Sequence, residues 1–375
     1  MKILSVFGTR PEAIKMAPVV RLLKKTPGVE SDICVTAQHR QMLDQVLDLF
    51  ELTPDYDLDL MRDDQSLAQI SAGIFTHLDP VFESFKPDWV LAVGDTTTVL
   101  TTSLLAFYRK IKFGHIEAGL RTHDKWHPFP EEINRRLATV TADLHFAPTA
   151  WSQGNLLREG VEYSKIHVTG NTVIDALNYV AKQEEPGAIK TLVEKLDLRT
   201  NEADPQGSRR LILVTAHRRE NFGQPLENIC RAIRELATRG DVEIVYPVHL
   251  NPNVQEPVNR FLKDVPHITL LPPLDYLPLI HLMKHARLIL TDSGGVQEEA
   301  PAFGIPVLVM RETTERPEGI EAGTLKLVGT DSSRIVNEAN ALLDDPSEYA
   351  KMAKAINPYG DGHAAEKIVN ALLNP

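Results

Sequence analysis

The sequence is poor in cysteine, modest in aromatics and free of long apolar runs, and each shortage excludes a class of protein. Its 375 residues include two cysteines, Cys34 and Cys230. They stand far apart in apolar segments, so buried free thiols are predicted rather than a disulfide or a metal pair. No Cys-x-x-Cys or His-Glu-x-x-His occurs, and no set of His, Cys and acidic residues has the spacing of a dedicated metal site. Nothing approaches the roughly 18 consecutive apolar residues that suggest a membrane span. The chain opens directly on a strand-like segment without a basic and apolar leader, which predicts a soluble cytoplasmic protein. A net charge of −11 argues against a general nucleic-acid or anionic-membrane surface, yet permits a local positive pocket for an acidic small molecule.

What the chain has is rhythm. Apolar runs at Ile3 to Phe7, Asp32 to Thr36, Trp89 to Val93, Phe113 to Glu117 and Leu144 to Ala147 alternate with helical stretches. After a polar, charged passage from Ala181 to Arg210 the pattern resumes at Leu211 to Thr215, Glu243 to Pro247, Ile268 to Leu271, Leu288 to Thr291 and Val307 to Met310. Such alternation predicts doubly wound parallel sheets with helices on both faces. The length favours two of them, a first Rossmann-like domain over 1–170 and a second over 171–357. Ligands of open α/β sheets bind beyond the carboxyl ends of the strands, so a cleft between facing domains is the expected site.

Two strand-to-helix turns have the makings of anion sites. In Phe7-Gly8-Thr9-Arg10-Pro11-Glu12-Ala13-Ile14-Lys15 a helix N-terminus offers unpaired N–H groups, Pro11 suits the first helical turn, and Arg10 and Lys15 add full charges. In Asp292-Ser293-Gly294-Gly295-Val296 the glycines let backbone approach a ligand closely. Asp95, Glu117 and Glu131 lie at or just beyond predicted strand ends, and carboxylates gathered in a partly desolvated site can hold different proton affinities, as an acid/base pair requires. The competing assignment for each alone is a helix cap or first-turn acid. His217, beside Arg218 and Arg219, suits a diphosphate contact or a proton relay, with a structural histidine as the alternative; His249 has the same ambiguity.

These segments, with Gly94-Asp95-Thr96-Thr97-Thr98, Glu117-Ala118-Gly119-Leu120-Arg121-Thr122, Thr215-Ala216-His217-Arg218-Arg219-Glu220-Asn221, Gln297-Glu298-Glu299-Ala300 and Thr314-Glu315-Arg316-Pro317-Glu318, run in order along the whole chain. Together they resemble the non-hydrolysing bacterial UDP-N-acetylglucosamine 2-epimerases. The resemblance implies a GT-B-like architecture of two Rossmann-like domains facing a central cleft, a C-terminal helix over 358–375 that crosses back to the first domain, and a homodimer. It implies that Arg10, Ser293, Gly294 and Gly295 hold the diphosphate with Lys15 at the same pocket, that Glu299 takes the ribose hydroxyls, and that Arg316 also binds the nucleotide. Leu274 and Leu279 fall around the uracil.

The implied reaction interconverts UDP-N-acetylglucosamine and UDP-N-acetylmannosamine, a precursor of cell-surface polysaccharides. UDP is eliminated to give 2-acetamidoglucal and is then re-added, with Asp95, Glu117 and Glu131 handling protons and His217 assisting UDP departure. No cofactor is implied, and neither glycine turn has the full dinucleotide-binding pattern. The alternatives are a GT-B UDP-sugar glycosyltransferase and a non-catalytic nucleotide-sugar sensor. Relatives also suggest an allosteric UDP-N-acetylglucosamine site at Gln38, His39, Gln41, Gln65, Glu131, Arg218 and His249. Here Asp64 stands where those relatives carry arginine, and Arg62 is two residues earlier.

Overall fold

Ile3, Leu4, Val6 and Phe7 are fully buried in β1 (Lys2–Phe7), as expected of a parallel strand covered by helices on both faces. The computed structural model describes residues 1–36, 40–60, 62, 64–198 and 209–374. The chain divides into two compact units, Met1–Asn178 with Tyr359–Pro375, and Tyr179–Pro358. In the first, β1 is joined by β2 (Glu30–Val35), β3 (Tyr56–Asp57), β4 (Trp89–Val93), β5 (Lys112–Ile116), β6 (Leu144–Ala147) and β7 (Ile166–Val168). They form a seven-stranded parallel sheet of order β3-β2-β1-β4-β5-β6-β7.

The second unit repeats the plan with β8 (Arg210–Thr215), β9 (Val242–Pro247), β10 (Ile268–Leu271), β11 (Ala286–Thr291), β12 (Val307–Val309) and β13 (Leu325–Leu327). Its parallel order is β10-β9-β8-β11-β12-β13. Each sheet therefore reverses direction of winding once, between β1 and β4 and between β8 and β11, and the loops at those reversals are where doubly wound folds bind ligands. Leu4, Val6, Val90 and Phe113 share one core with the helix Leu67–Phe85; Ile212, Val214, Ile244 and Leu290 share another with the helix Gln224–Ala237. Cys34 and Cys230 are free and buried in these cores, where desolvation pushes the Cys230 thiol up to about 12 and that of Cys34 higher still.

The helix Ala364–Leu373 lies in the first unit, packed against the helix Arg10–Leu23. Asp175, on the helix Thr172–Val180, accepts hydrogen bonds from Ala364 N (3.2 Å) and Ala365 N (2.9 Å), so one helix caps the start of another. No helix among the described residues is long and apolar enough to cross a membrane.

Candidate active site

The loop after β1 is built around Glu12. Thr9 caps the helix Arg10–Leu23, and the Glu12 carboxylate reaches back to the N–H groups of Gly8 (2.9 Å) and Thr9 (2.8 Å), forming a capping box. Its other oxygen accepts from the Thr96 hydroxyl at 2.5 Å, tying the β1 loop to the β4 loop. Burial raises the proton affinity of Glu12 against these donors. Half-buried Arg10 and Lys15 project from this helix.

Asp95 follows β4. Arg135 donates to its Oδ2 at 2.6 Å, and Asn134 donates to its backbone carbonyl at 2.9 Å. Both donors come from the helix Glu131–Thr141, whose first residue is the third candidate acid. Buried Glu132 on the same helix accepts from Thr122 N (3.0 Å) and His123 N (3.2 Å), which anchors the loop after β5.

Glu117 follows β5 in a left-handed backbone conformation, φ 63°, uncommon for a residue with a side chain. Its buried carboxylate receives Lys15 Nζ at 2.5 Å and Asn171 Nδ2 at 3.0 Å, both on Oε1. Thus Lys15, expected at the diphosphate, has its ammonium on a candidate acid. Behind the Gly94 turn, buried His115 bonds the Gly94 carbonyl through Nε2 at 2.7 Å. A carbonyl only accepts, so Nε2 carries a proton; burial pushes the pKa down to about 4, which leaves the ring neutral near pH 7.

In the second unit buried Asp292, at the end of β11, gathers the loop after β8. Its carboxylate accepts from His217 N (2.9 Å), Arg218 N (2.8 Å) and Asn221 Nδ2 (3.0 Å). The His217 ring stacks on that of His249 with centroids 5.3 Å apart, and burial lowers its pKa although Asp292 opposes the shift. Beside it Ser293 leads into the helix Gly294–Glu299, and Arg316 lies against Gly294, held by Glu298 Oε1 at 2.6 Å. The Tyr276 hydroxyl donates to Glu299 Oε1 at 2.8 Å, while Leu274 and Leu279 are half-buried nearby in sequence. Among the described residues no group of His, Cys, Asp or Glu is arranged to hold a metal ion.

Of the positions expected to form a second, regulatory site, Gln38 and His39 lie outside the described residues, and Gln41 is described only as part of the helix Arg40–Leu49. Gln65 accepts from Arg62 N at 2.9 Å, and Arg62 Nη1 donates to the Asp59 carbonyl at 3.1 Å.

The family model described as UDP-N-acetylglucosamine 2-epimerase matches residues 21–373. The chain belongs to the UDP-N-acetylglucosamine 2-epimerase family. It is 56% identical over 375 residues to the UDP-N-acetylglucosamine 2-epimerase of Escherichia coli O157:H7, covering 100% of this chain and 99% of that one. The solved UDP-GlcNAc 2-epimerase from Neisseria meningitidis, bound to UDP-GlcNAc, superposes with a TM-score of 0.90 at 50% identity over 100% of both chains. An S. aureus protein solved with UDP gives 0.88 at 47%, covering 100% of this chain and 96% of that one. The two parallel-sheet domains are accordingly of the GT-B-like class.

The epimerase-family motifs name the candidate acids but not the groups that hold them. Arg135, Asn134, Asn171 and Tyr276 escaped the sequence reading, since each acts on a carboxyl or carbonyl group far away in the chain. Asp292 stands within a recognisable motif, yet its role as acceptor for three donors is visible only once β8 and β11 are adjacent.

Proposed function

We propose that this chain is a non-hydrolysing isomerase that interconverts UDP-N-acetylglucosamine and UDP-N-acetylmannosamine by inverting the second carbon of the sugar. The observation that carries the reading is a family match over nearly the whole chain together with acids at the ends of β4 and β5, each supplied with a cation. The hydrogen on that carbon has no adjacent ring carbonyl, so direct deprotonation lacks a stabilised anion. Elimination avoids this: the C2–H bond breaks as the C1–O bond to UDP breaks, giving 2-acetamidoglucal, and re-addition protonates C2 on the other face.

Inversion needs proton handling on two faces, for which Asp95, Glu117 and Glu131 are the candidates. Arg135 lies beside Asp95 and Lys15 beside Glu117, so a cation orients each of these two carboxylates. His217, neutral at physiological pH by its burial, is suited to donate a hydrogen bond to the departing diphosphate. Arg10, Ser293, Gly294, Gly295 and Arg316 bind the diphosphate, Glu299 the ribose, and Leu274 and Leu279 flank the base. The enzyme works in the cytoplasm as a homodimer.

Turnover in deuterium oxide should place deuterium at C2 and release small amounts of UDP and 2-acetamidoglucal, both read by proton NMR. Product formed without deuterium uptake rejects the elimination route. UDP-N-acetylglucosamine also acts as an activator at Gln38, His39, Gln41, Gln65, Glu131, Arg218 and His249, weakened by the acid at Asp64. Asp64→Arg should therefore lower the amount needed to start the reverse reaction; full initial rates without any activator would remove this second site.

A further inference from the structure

Lys15 and Asn171 both meet Glu117 Oε1, and they differ in how firmly each is held. Lys15 is a charge on a long flexible stem. Asn171 is 3% exposed and fixed at several points: its Oδ1 accepts from Val173 N (3.1 Å), its backbone N–H donates to the Tyr359 carbonyl (2.7 Å), and Nδ2 donates to Glu117 (3.0 Å). The Val173 bond settles which end of the amide is oxygen, so the end facing Glu117 is the donor. The Tyr359 bond is possible because the backbones of Gly170 and Gly360 nearly touch; a Cβ on Gly170 would lie 3.2 Å from Gly360 Cα.

We propose that Asn171 is a positioning residue for Glu117: its amide fixes the direction of that carboxylate and favours its ionised form, and its own place is set by the C-terminal segment returning at Tyr359. The left-handed backbone at Glu117 makes the need concrete. A residue with a side chain holds such a conformation when its surroundings over-determine it, and a donor clamped at Asn171 does so. Donors to a carboxylate lower its proton affinity, so the same contact keeps Glu117 ready to accept a proton. The inference rests on the reading of Glu117 as a proton-transfer group.

The competing role for Asn171 is that of a helix cap, because Oδ1 bonds the second residue of the helix Thr172–Val180. Asn171→Asp and Asn171→Ser separate the two, since both residues cap helices well and neither offers an amide donor to Glu117. In the full-length protein Asn171→Asp also places a like charge beside Glu117, so the acid limb of the kcat/KM profile should move up by roughly one pH unit. Turnover should fall about tenfold or more in either variant with UDP titrations close to the parent, and in Asn171→Ser, which buries no charge, the thermal midpoint should stay close as well.

Added to Glu117→Gln, Asn171→Ser should cost nothing further, as its effect passes through the missing carboxylate. An unmoved acid limb in Asn171→Asp, or single-variant losses that multiply in the double variant, overturns the positioning role. So does loss of activity that follows lost thermal stability with the pH profile intact. If Glu117→Gln turns over normally, the reading of Glu117 itself fails, a result distinguishable from an inactive Glu117→Gln beside a normal Asn171→Asp.

Discussion

Asp95 and Glu117 are held by groups that each lie 39 or more positions away: Asn134 and Arg135 for the first, Asn171 and Lys15 for the second. Replacing Asp95, Glu117 or Glu131 by its amide should cut turnover by about 10²–10⁴, the usual contribution of an acid–base group, with UDP binding by calorimetry largely kept. An unimpaired triple variant means the acids are wrongly chosen. Such acids are legible because they close apolar runs, as Asp95 does after Trp89 to Val93 and its glycine. Their partners are not, since an arginine or asparagine on a distant helix has no local pattern that names its target. His115 is a further case, an ordinary histidine in sequence but neutral and buried against the Gly94 turn. Its pKa falls to about 4 through burial, with the Gly94 hydrogen bond opposing, so the unfolded chain binds the proton first as acid is added. The stability it contributes is complete above its unfolded pKa of about 6.5 and is lost as pH falls from there to about 4, in total on the order of 3 kcal/mol. Urea midpoints should drop across that window and drop less in His115→Gln, which stays neutral; equal slopes in the two proteins reject the assignment.

The elements divide by burial into those the pattern reveals and those it hides. β4, β6 and β10 fall at Trp89–Val93, Leu144–Ala147 and Ile268–Leu271, the same spans that the apolar runs predict. β3, β7 and β13 went unread because they span two or three residues each, and in β7 and β13 the first residue alone is buried, which leaves no apolar run. β2 begins at Glu30, earlier than its hydropathy suggests, because pairing with β1 from Lys2 onward recruits polar residues. The helix Gly294–Glu299 shows what a turn glycine does at a candidate ligand site. A Cβ on Gly294 would sit 2.6 Å from Nη1 and 2.8 Å from Cζ of Arg316, whose guanidinium is already bound to Glu298. Alanine is the better helix former at an ordinary φ, but pushing Arg316 off buried Glu298 outweighs that gain, so Gly294→Ala should lower the thermal midpoint. It should also weaken UDP binding about tenfold by displacing Arg316, a charge-assisted contact. Calorimetry beside a melt checks both signs; unchanged UDP affinity takes Arg316 out of the nucleotide site.

At the scale of the molecule, the helix Glu131–Thr141 links the candidate acids to the surface. Asn134, Arg135 and Ala138 face inward, the first two holding Asp95, whereas Ile133, Leu137 and Val140 are 37%, 45% and 83% exposed. The spacing of these three sets them on one stripe, and the helix Thr97–Arg109 packed alongside carries Phe107, also 62% exposed. Apolar stripes of this kind mark protein contacts, and a second copy of the chain is the occupant that the proposed homodimer supplies. Because one helix serves both faces, covering the outer stripe also restrains the donors on the inner one. Leu137→Asp with Val140→Asp should therefore give a monomer by sedimentation, at concentrations where the parent is dimeric. It should also lower turnover by loosening Arg135 on Asp95, while UDP titrations stay close to the parent. A variant that remains dimeric moves the interface elsewhere, and a fully active monomer would show that Asp95 is held without help from a partner.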